Sequence, residues 1–401
     1  MVGAGALVAG GGLTLSGCSG TDSGTELVAA IKAIAPNATI RLLDVADEQL
    51  IKGYNFADSP SEDYVVYDRS FDLPLGSLLY QNSSRSICVL APGKESNVLI
   101  RLALLDLESG DVITLLDKAL DDDKHYSIYD ARTNDSVVAW VESDMTIGEW
   151  SLYAATLTGT TVGTPYKLES GHDDYDPPLI CVSGSAVYWT IMPDPDGPAS
   201  IEDSYLKSAM ITTGGVRNER IVYTSHGRMI TTPQVTESYI TIVPRVDTNE
   251  VRYQLTAISV NDDSIVAVSI LPSGLRVSDC VYMKKEFTFC IEGNYSYAQG
   301  LRFFGTYKQD ENEQVFHANR APATPALLIG NCLIIKSIVN IVGFDFEKQR
   351  SFIVDKPNDC ADYGDLLAAC GVQDKLVIYT TIVNKSNAEA SIARARLYTR
   401  V

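Results

Sequence analysis

The sequence predicts an all-β fold in which four-stranded antiparallel units repeat around a ring, with one short helix ahead of them. Three observations predict it. From about residue 77 onward, bursts of Val, Ile, Tyr and Thr are punctuated by Gly, Asp, Asn, Pro or Ser at intervals of roughly 8 to 12 residues, the rhythm of strands and turns. Seven bursts then align as the second strand of successive units: SICVLA at Ser86, SVVAWVE at Ser136, SAVYWTI at Ser185, SYITIVP at Ser238, EFTFCIE at Glu286, CLIIKSI at Cys332 and KLVIYTT at Lys375. Their starts lie 50, 49, 53, 48, 46 and 43 residues apart, near the length of one propeller blade. Finally, the last unit has only three strands, while a strand-like run, YVVYDRSF from Tyr64 to Phe71, precedes the first. Pairing the two closes the ring and leaves no open sheet edge. The expectation is a seven-bladed β-propeller over residues 64–401; six or eight blades stay open on spacing alone.

The elements follow in order. Residues 1–18, MVGAGALVAGGGLTLSGC, are small and apolar without a charge. Residues 19–24 are a Ser/Gly/Thr/Asp stretch that reads as a flexible tether. In 25–63, the run from Thr25 to Lys32 has a capping residue followed by helix formers, and Pro36 ends it. It reads as a short helix and then a looser connection. Each later unit has an inner strand, such as PPLICVSG from Pro177 or TPALLIGN from Thr324, ahead of its second strand. A third and a polar-edged fourth strand follow, as in EWSLYAATL from Glu149 and TPYKLESG from Thr164.

The ending Leu15-Ser16-Gly17-Cys18 resembles the bacterial lipobox. The resemblance implies that the Cys18 thiol is lipidated and that cleavage before it makes Cys18 the mature N-terminus, so the chain is expected to be exported and to meet the membrane through its lipid anchor only. No Arg or Lys precedes Cys18, so a start further upstream is expected, and the choice between Sec and twin-arginine export stays open. No apolar run reaches the length of about 18 residues that spans a bilayer. The charge of −19 and pI near 4.6 argue against nucleic acid, whose phosphates need clustered Lys and Arg.

Beyond Cys18 the cysteines are Cys88, Cys181, Cys280, Cys290, Cys332, Cys360 and Cys370, none in a CxxC pair, so zinc ribbons and thioredoxin chemistry lack support. Cys280 and Cys290 flank a Lys284-Lys285-Glu286 turn. They are the candidate hairpin disulfide, with buried free thiols the alternative.

The short apolar strands and entry motifs such as Asp176-Pro177-Pro178-Leu179-Ile180 resemble TolB-like propellers of bacterial envelope proteins over residues 64–401. WD40, kelch, sialidase Asp-box and quinoprotein motifs are absent. In a propeller, the loops entering each inner strand and those joining second to third strands share one face, where ligands usually meet the fold. That face is expected to gather Asp121 to Asp123, His125, His172, Asp173, Asp174, Tyr175, Asp176, Asp194, Asp196, His226 and Arg228. His172, Asp174, Asp176 and His226 are of the types that hold a metal or move a proton, although Asp and His are also ordinary turn residues. DPDGPASIED from Asp194 faintly resembles a calcium loop, but Pro195 and Pro198 break that pattern. Trp140 and Trp189 occupy matching second-strand positions and read as core, leaving Trp150 near a loop as the candidate sugar platform.

No GxSxG, HExxH or phosphate loop occurs. The favoured function is a non-catalytic receptor or scaffold, without a required cofactor, for an envelope protein, peptide or glycan. The rival is an extracytoplasmic hydrolase or lyase using loop carboxylates and His172 or His226, with or without a divalent cation. Convergence of these side chains around one pocket is what separates the two readings.

Overall fold

The computed structural model describes residues 23–42, 50–52, 55–93, 98–121, 125–246, 251–271, 276–291, 301–309, 312–319, 325–337, 339–387 and 390–401. Cys18, the signal-like segment, most of the tether, Asp122 and Asp123 lie outside the described residues. The chain is all-β with one α-helix among the described residues, in a β-propeller arrangement. The described strands form seven hydrogen-bonded sheets, built in chain order from residues 78–116, 127–171, 180–225, 234–270, 277–319, 327–354 and 366–400. Each of the seven aligned bursts is the second strand of its sheet.

The strands are apolar on both faces because both faces are covered. In the strand Val137–Asp144 every residue is buried. Val137, Ala139 and Val141 pack against the third sheet, whereas Val138 and Trp140 pack against the first. The two-residue period of the strand thus divides one apolar run between two neighbours. Similar clusters join each successive pair of sheets, and Phe71, Leu73 and Val377 of the last pack with Leu79, Ile87 and Val89 of the first.

Val65–Pro74 forms the outer strand of the seventh sheet, antiparallel to Ile392–Arg400, with Phe71 opposite Ala395 and Leu73 opposite Ala393. The two ends of the propeller are therefore hydrogen-bonded within one sheet.

The N-terminal segment departs from the sequence expectation. The helix is Ser23–Ile34, so the tether's last two residues and Thr25 are helical instead of flexible and capping. Leu27, Ile31 and Ala35, one helical turn apart, bury one face against Val268 and Ile270 of the fourth sheet. The expected looser connection contains three short strands. Thr39–Leu42 pairs in parallel with Ile265–Ile270, Leu50–Lys52 with Asn312–Asn319, and Ala57–Asp58 with Arg350–Val354. This belt adds an outer strand to the fourth, fifth and sixth sheets in turn before the chain enters the seventh. Such strands satisfy the exposed edge groups of the sheets they cover, a tertiary effect that two to four residues of sequence do not announce.

The hairpin carrying Cys280 and Cys290 also differs. Lys284 and Lys285 take φ of 51° and 63°, forming its tight turn. The register sets Cys280 opposite Phe289 and Cys290 opposite Asp279. The two buried thiols face opposite sides of the sheet and are not bonded to each other, which corrects the disulfide expectation.

Candidate functional site

Outer strands end, and second strands turn into third strands, on the same side of the sheets. The loop residues 117–121 and 125–126 and the loops 145–148, 172–179, 192–203 and 226–233 therefore share one face, and the expected residues that are described sit on it. Hydrogen bonds make the third-sheet part of this face a single piece. Asp194 N donates to Asp174 O at 2.9 Å, Asp176 N to Met192 O at 3.0 Å, and Tyr175 OH to Glu202 Oε2 at 2.8 Å. Arg228 arrives from the loop entering the fourth sheet, with Nη2 2.5 Å from Asp176 Oδ2, and its Nη1 donates to Pro193 O.

The histidines do not meet. His172 Nδ1 is 3.8 Å from Asp174 Oδ2, whereas His226 Nδ1 is 3.5 Å from Asp203 Oδ1, each with its own carboxylate. His125 belongs to the second-sheet entry, where its charge helps hold Asp144 below the usual carboxylate range. The main cause of that lowering is the Thr146 hydroxyl, which donates to Asp144 Oδ1 at 2.6 Å. Asp194 Oδ1 accepts from Asp196 N at 2.7 Å, a turn contact within the calcium-like segment. Among the described residues, no three His, Cys, Asp or Glu side chains gather closely enough to hold a metal ion.

Trp150 is buried, and its indole N–H donates to Tyr175 O at 2.8 Å. A Cβ on Gly171 would fall 2.3 Å from that ring, so the glycine admits the indole beneath the loop. Trp150 is a prop for residues 172–176 and not a sugar platform, correcting the expectation. Trp140 and Trp189 are core, as their second-strand positions imply.

Buried carboxylates brace the neighbouring loops. Glu142 Oε1 accepts from Leu120 N at 2.7 Å and Trp140 Nε1 at 2.8 Å, while Oε2 accepts from Asp121 N at 2.8 Å. Its burial raises its pKa, against the pull of those donors. Sequence reasoning missed this residue because nothing in SVVAWVE marks its last position, Glu142, as a brace.

A second feature unforeseen from sequence is the central cavity, about 420 Å³ and bordered by residues of every sheet or its inner-strand entry, among them Tyr80, Arg132, Cys181, Gln234, Asp279, Pro325 and Leu367. Arg132 stands with its guanidinium carbon 3.7 Å from the Tyr80 ring centroid and pairs with the buried Asp130. Burial pushes the Cys88 and Cys370 thiols up to about 12. Gly371–Gln373 reaches from the seventh sheet to pair in parallel with Leu327–Ile329 of the sixth, and Val372 N donates to Thr236 Oγ1 at 3.3 Å. Gly371 has φ of +73°, a conformation that favours glycine, and a Cβ there would also fall 2.3 Å from Thr236 Oγ1. None of the described loop-face candidates lines this cavity.

No family model and no curated protein matches the chain. Among solved structures it is similar to a prolyl endopeptidase at 11% identity and TM-score 0.49, covering 80% of this chain and 46% of that one. It is similar to BamB from Moraxella catarrhalis at 11% identity and TM-score 0.41, covering 84% of this chain and 99% of that one. The β-propeller domain of the Trilobed protease from Pyrococcus furiosus gives 11% identity and TM-score 0.42, with coverage of 65% and 79%. The chain thus spans about half the length of the endopeptidase, and these distant likenesses concern the fold alone.

Proposed function

We propose that this chain is a seven-bladed, TolB-like propeller, exported and anchored at the cell envelope through Cys18, that binds a protein, peptide or glycan on its loop face without catalysing a reaction. One observation carries the non-catalytic reading: His172, His226 and Arg228 of that face each meet a different carboxylate, one within its own loop and two across loops. His172 faces Asp174, His226 faces Asp203, Arg228 holds Asp176, and the cavity has none of them in its wall. General acid/base chemistry needs two such groups within about 3 Å of one substrate, or joined to it by a water. Recognition needs only a fixed surface. The blade count rests on seven sheets among the described residues and on the apolar clusters that join each to the next. The anchor rests on Leu15-Ser16-Gly17-Cys18, and an envelope partner follows from it.

Three experiments test this reading. Cys18→Ala in the native host is expected to move the protein from the membrane to the soluble fraction, and unchanged retention contradicts the anchor. A photo-crosslinking residue at position 201, on the loop face, is expected to capture partner material that the same residue at position 353, on an outer strand, does not. Hydrolase or lyase turnover that disappears in His172→Ala would overturn the non-catalytic assignment.

A further inference from the structure

Large apolar side chains stand out from the loop face beside its acids. Ile201 is 92% exposed, Met145 69%, Ile147 53% and Leu120 42%, and all four belong to loops of the second and third sheets on this side. Each is presented by a fixed turn. Glu142 holds the backbone at Leu120, and Asp144 Oδ1 accepts from Thr146 N at 2.8 Å between Met145 and Ile147. Ser200 N and Glu202 N close turns on either side of Ile201, onto Gly197 O and Ala199 O at 3.2 and 2.8 Å. Apolar groups left in water are unfavourable, and several of them on one face, edged by polar residues, are the usual mark of a protein-binding surface.

The loop 172–176 runs between the Met145 and Ile147 turn and the turn carrying Ile201. On one side Asp173 Oδ1 lies where a Cβ on Gly148 would be, which fixes contact with the Met145 and Ile147 turn. On the other, Tyr175 bonds Glu202, next to Ile201. Residues 172–179 and 192–203 together carry seven Asp or Glu and no Lys or Arg. The sequence of surfaces is therefore apolar, acidic, apolar. We propose that the partner of this face is a protein segment in which Lys or Arg is flanked by apolar side chains, the bases meeting Asp173, Asp174 and Glu202, since Asp176 is held by Arg228, and the apolar groups meeting Met145 and Ile201. This rests on the loop-face reading above and specifies its ligand. Complementary charge across an interface fixes register and excludes acidic competitors.

The test uses the full chain carrying Cys18→Ala and three short fluorescent peptides, alternating Leu with Lys, Leu with Glu, and Ser with Lys, at an ionic strength of about 0.15 M. The Leu/Lys peptide is expected to bind at least about tenfold more tightly than either of the others. Met145→Ser with Ile201→Ser is expected to weaken it by about tenfold or more, and Asp174→Asn with Glu202→Gln to weaken it and flatten its salt dependence. Both double variants alter exposed groups, and unchanged melting temperatures check that they fold. Equal binding of the Leu/Glu peptide, or affinity unmoved by either double variant, overturns the proposal. In the photo-crosslinking experiment, a captured segment lacking Lys and Arg overturns this inference while the loop-face reading survives. Capture no greater at 201 than at 353 overturns both.

Discussion

Arg228 Nη2 lies 2.5 Å from Asp176 Oδ2, and this contact ties the entry loop of the fourth sheet to that of the third. Both side chains are roughly one quarter exposed, so the pair contributes no more than about 1 kcal/mol to global stability. Its effect is local, because Arg228 also donates to Pro193 O and thereby holds two loops at once. Arg228→Ala is expected to leave the melting temperature within about 3 °C while raising hydrogen exchange at residues 174–176 and 193–194. Unchanged exchange there would show that Trp150, the Tyr175–Glu202 bond and the backbone bonds between these loops fix them without Arg228.

Ring closure depends on the strand Val65–Pro74. Phe71 is buried with Leu73 at the junction of the seventh and first sheets. Phe71→Ala is expected to cost about 3–5 kcal/mol, as removal of a packed ring leaves a cavity. Removing residues 1–75 is expected to be worse still, since it also strips the partner from Ile392–Arg400. Urea unfolding checks both, and a truncated chain as stable as the full one would contradict closure by this strand.

Asp144 links pH to the shape of the apolar patch. Its hydrogen bonds from Thr146, with the nearby charge of His125, hold the carboxyl below its ordinary value. A depressed folded pKa means the turn's contribution is present above about pH 3.9, the unfolded value, and is lost as pH falls through the folded one. A carboxyl ¹³C titration is expected to show its midpoint below that of an unstructured Asp, with the Thr146 amide moving in step. A midpoint at or above the ordinary value would remove the ionised brace.

Thiol reactivity checks the corrected cysteine assignment. Cys88 and Cys181 are buried, and burial raises both thiols, Cys88 to about 12. Cys360 is half-buried outside the core strands. In a chain carrying Cys18→Ala, iodoacetamide at about pH 8 is expected to label Cys360 first, with the core thiols reacting only after unfolding. Mass spectrometry under non-reducing conditions is expected to find the Cys280 and Cys290 peptides unlinked; a bridge between them would require a register shifted by one residue.

The repeat was legible in the sequence because strands buried on both faces must be continuously apolar, and seven such runs with turn residues between them leave an unmistakable period. The closing role of Tyr64 to Phe71 was legible too, since a three-stranded last unit needs an edge partner. The loop face followed from alternation of strand direction alone.

Tertiary structure decided the rest. The belt strands are too short to carry a pattern, and only the edges they cover make them strands. Register sent Cys280 and Cys290 to opposite faces, a one-residue matter that spacing across a turn cannot resolve. Whether His172 and His226 would converge, whether Trp150 would be prop or platform, and whether Ile201 and Met145 would flank an acidic loop all depend on loop packing. Periodicity records which residues avoid water along a strand, whereas the positions of side chains on adjoining loops are set by contacts between segments far apart in the chain.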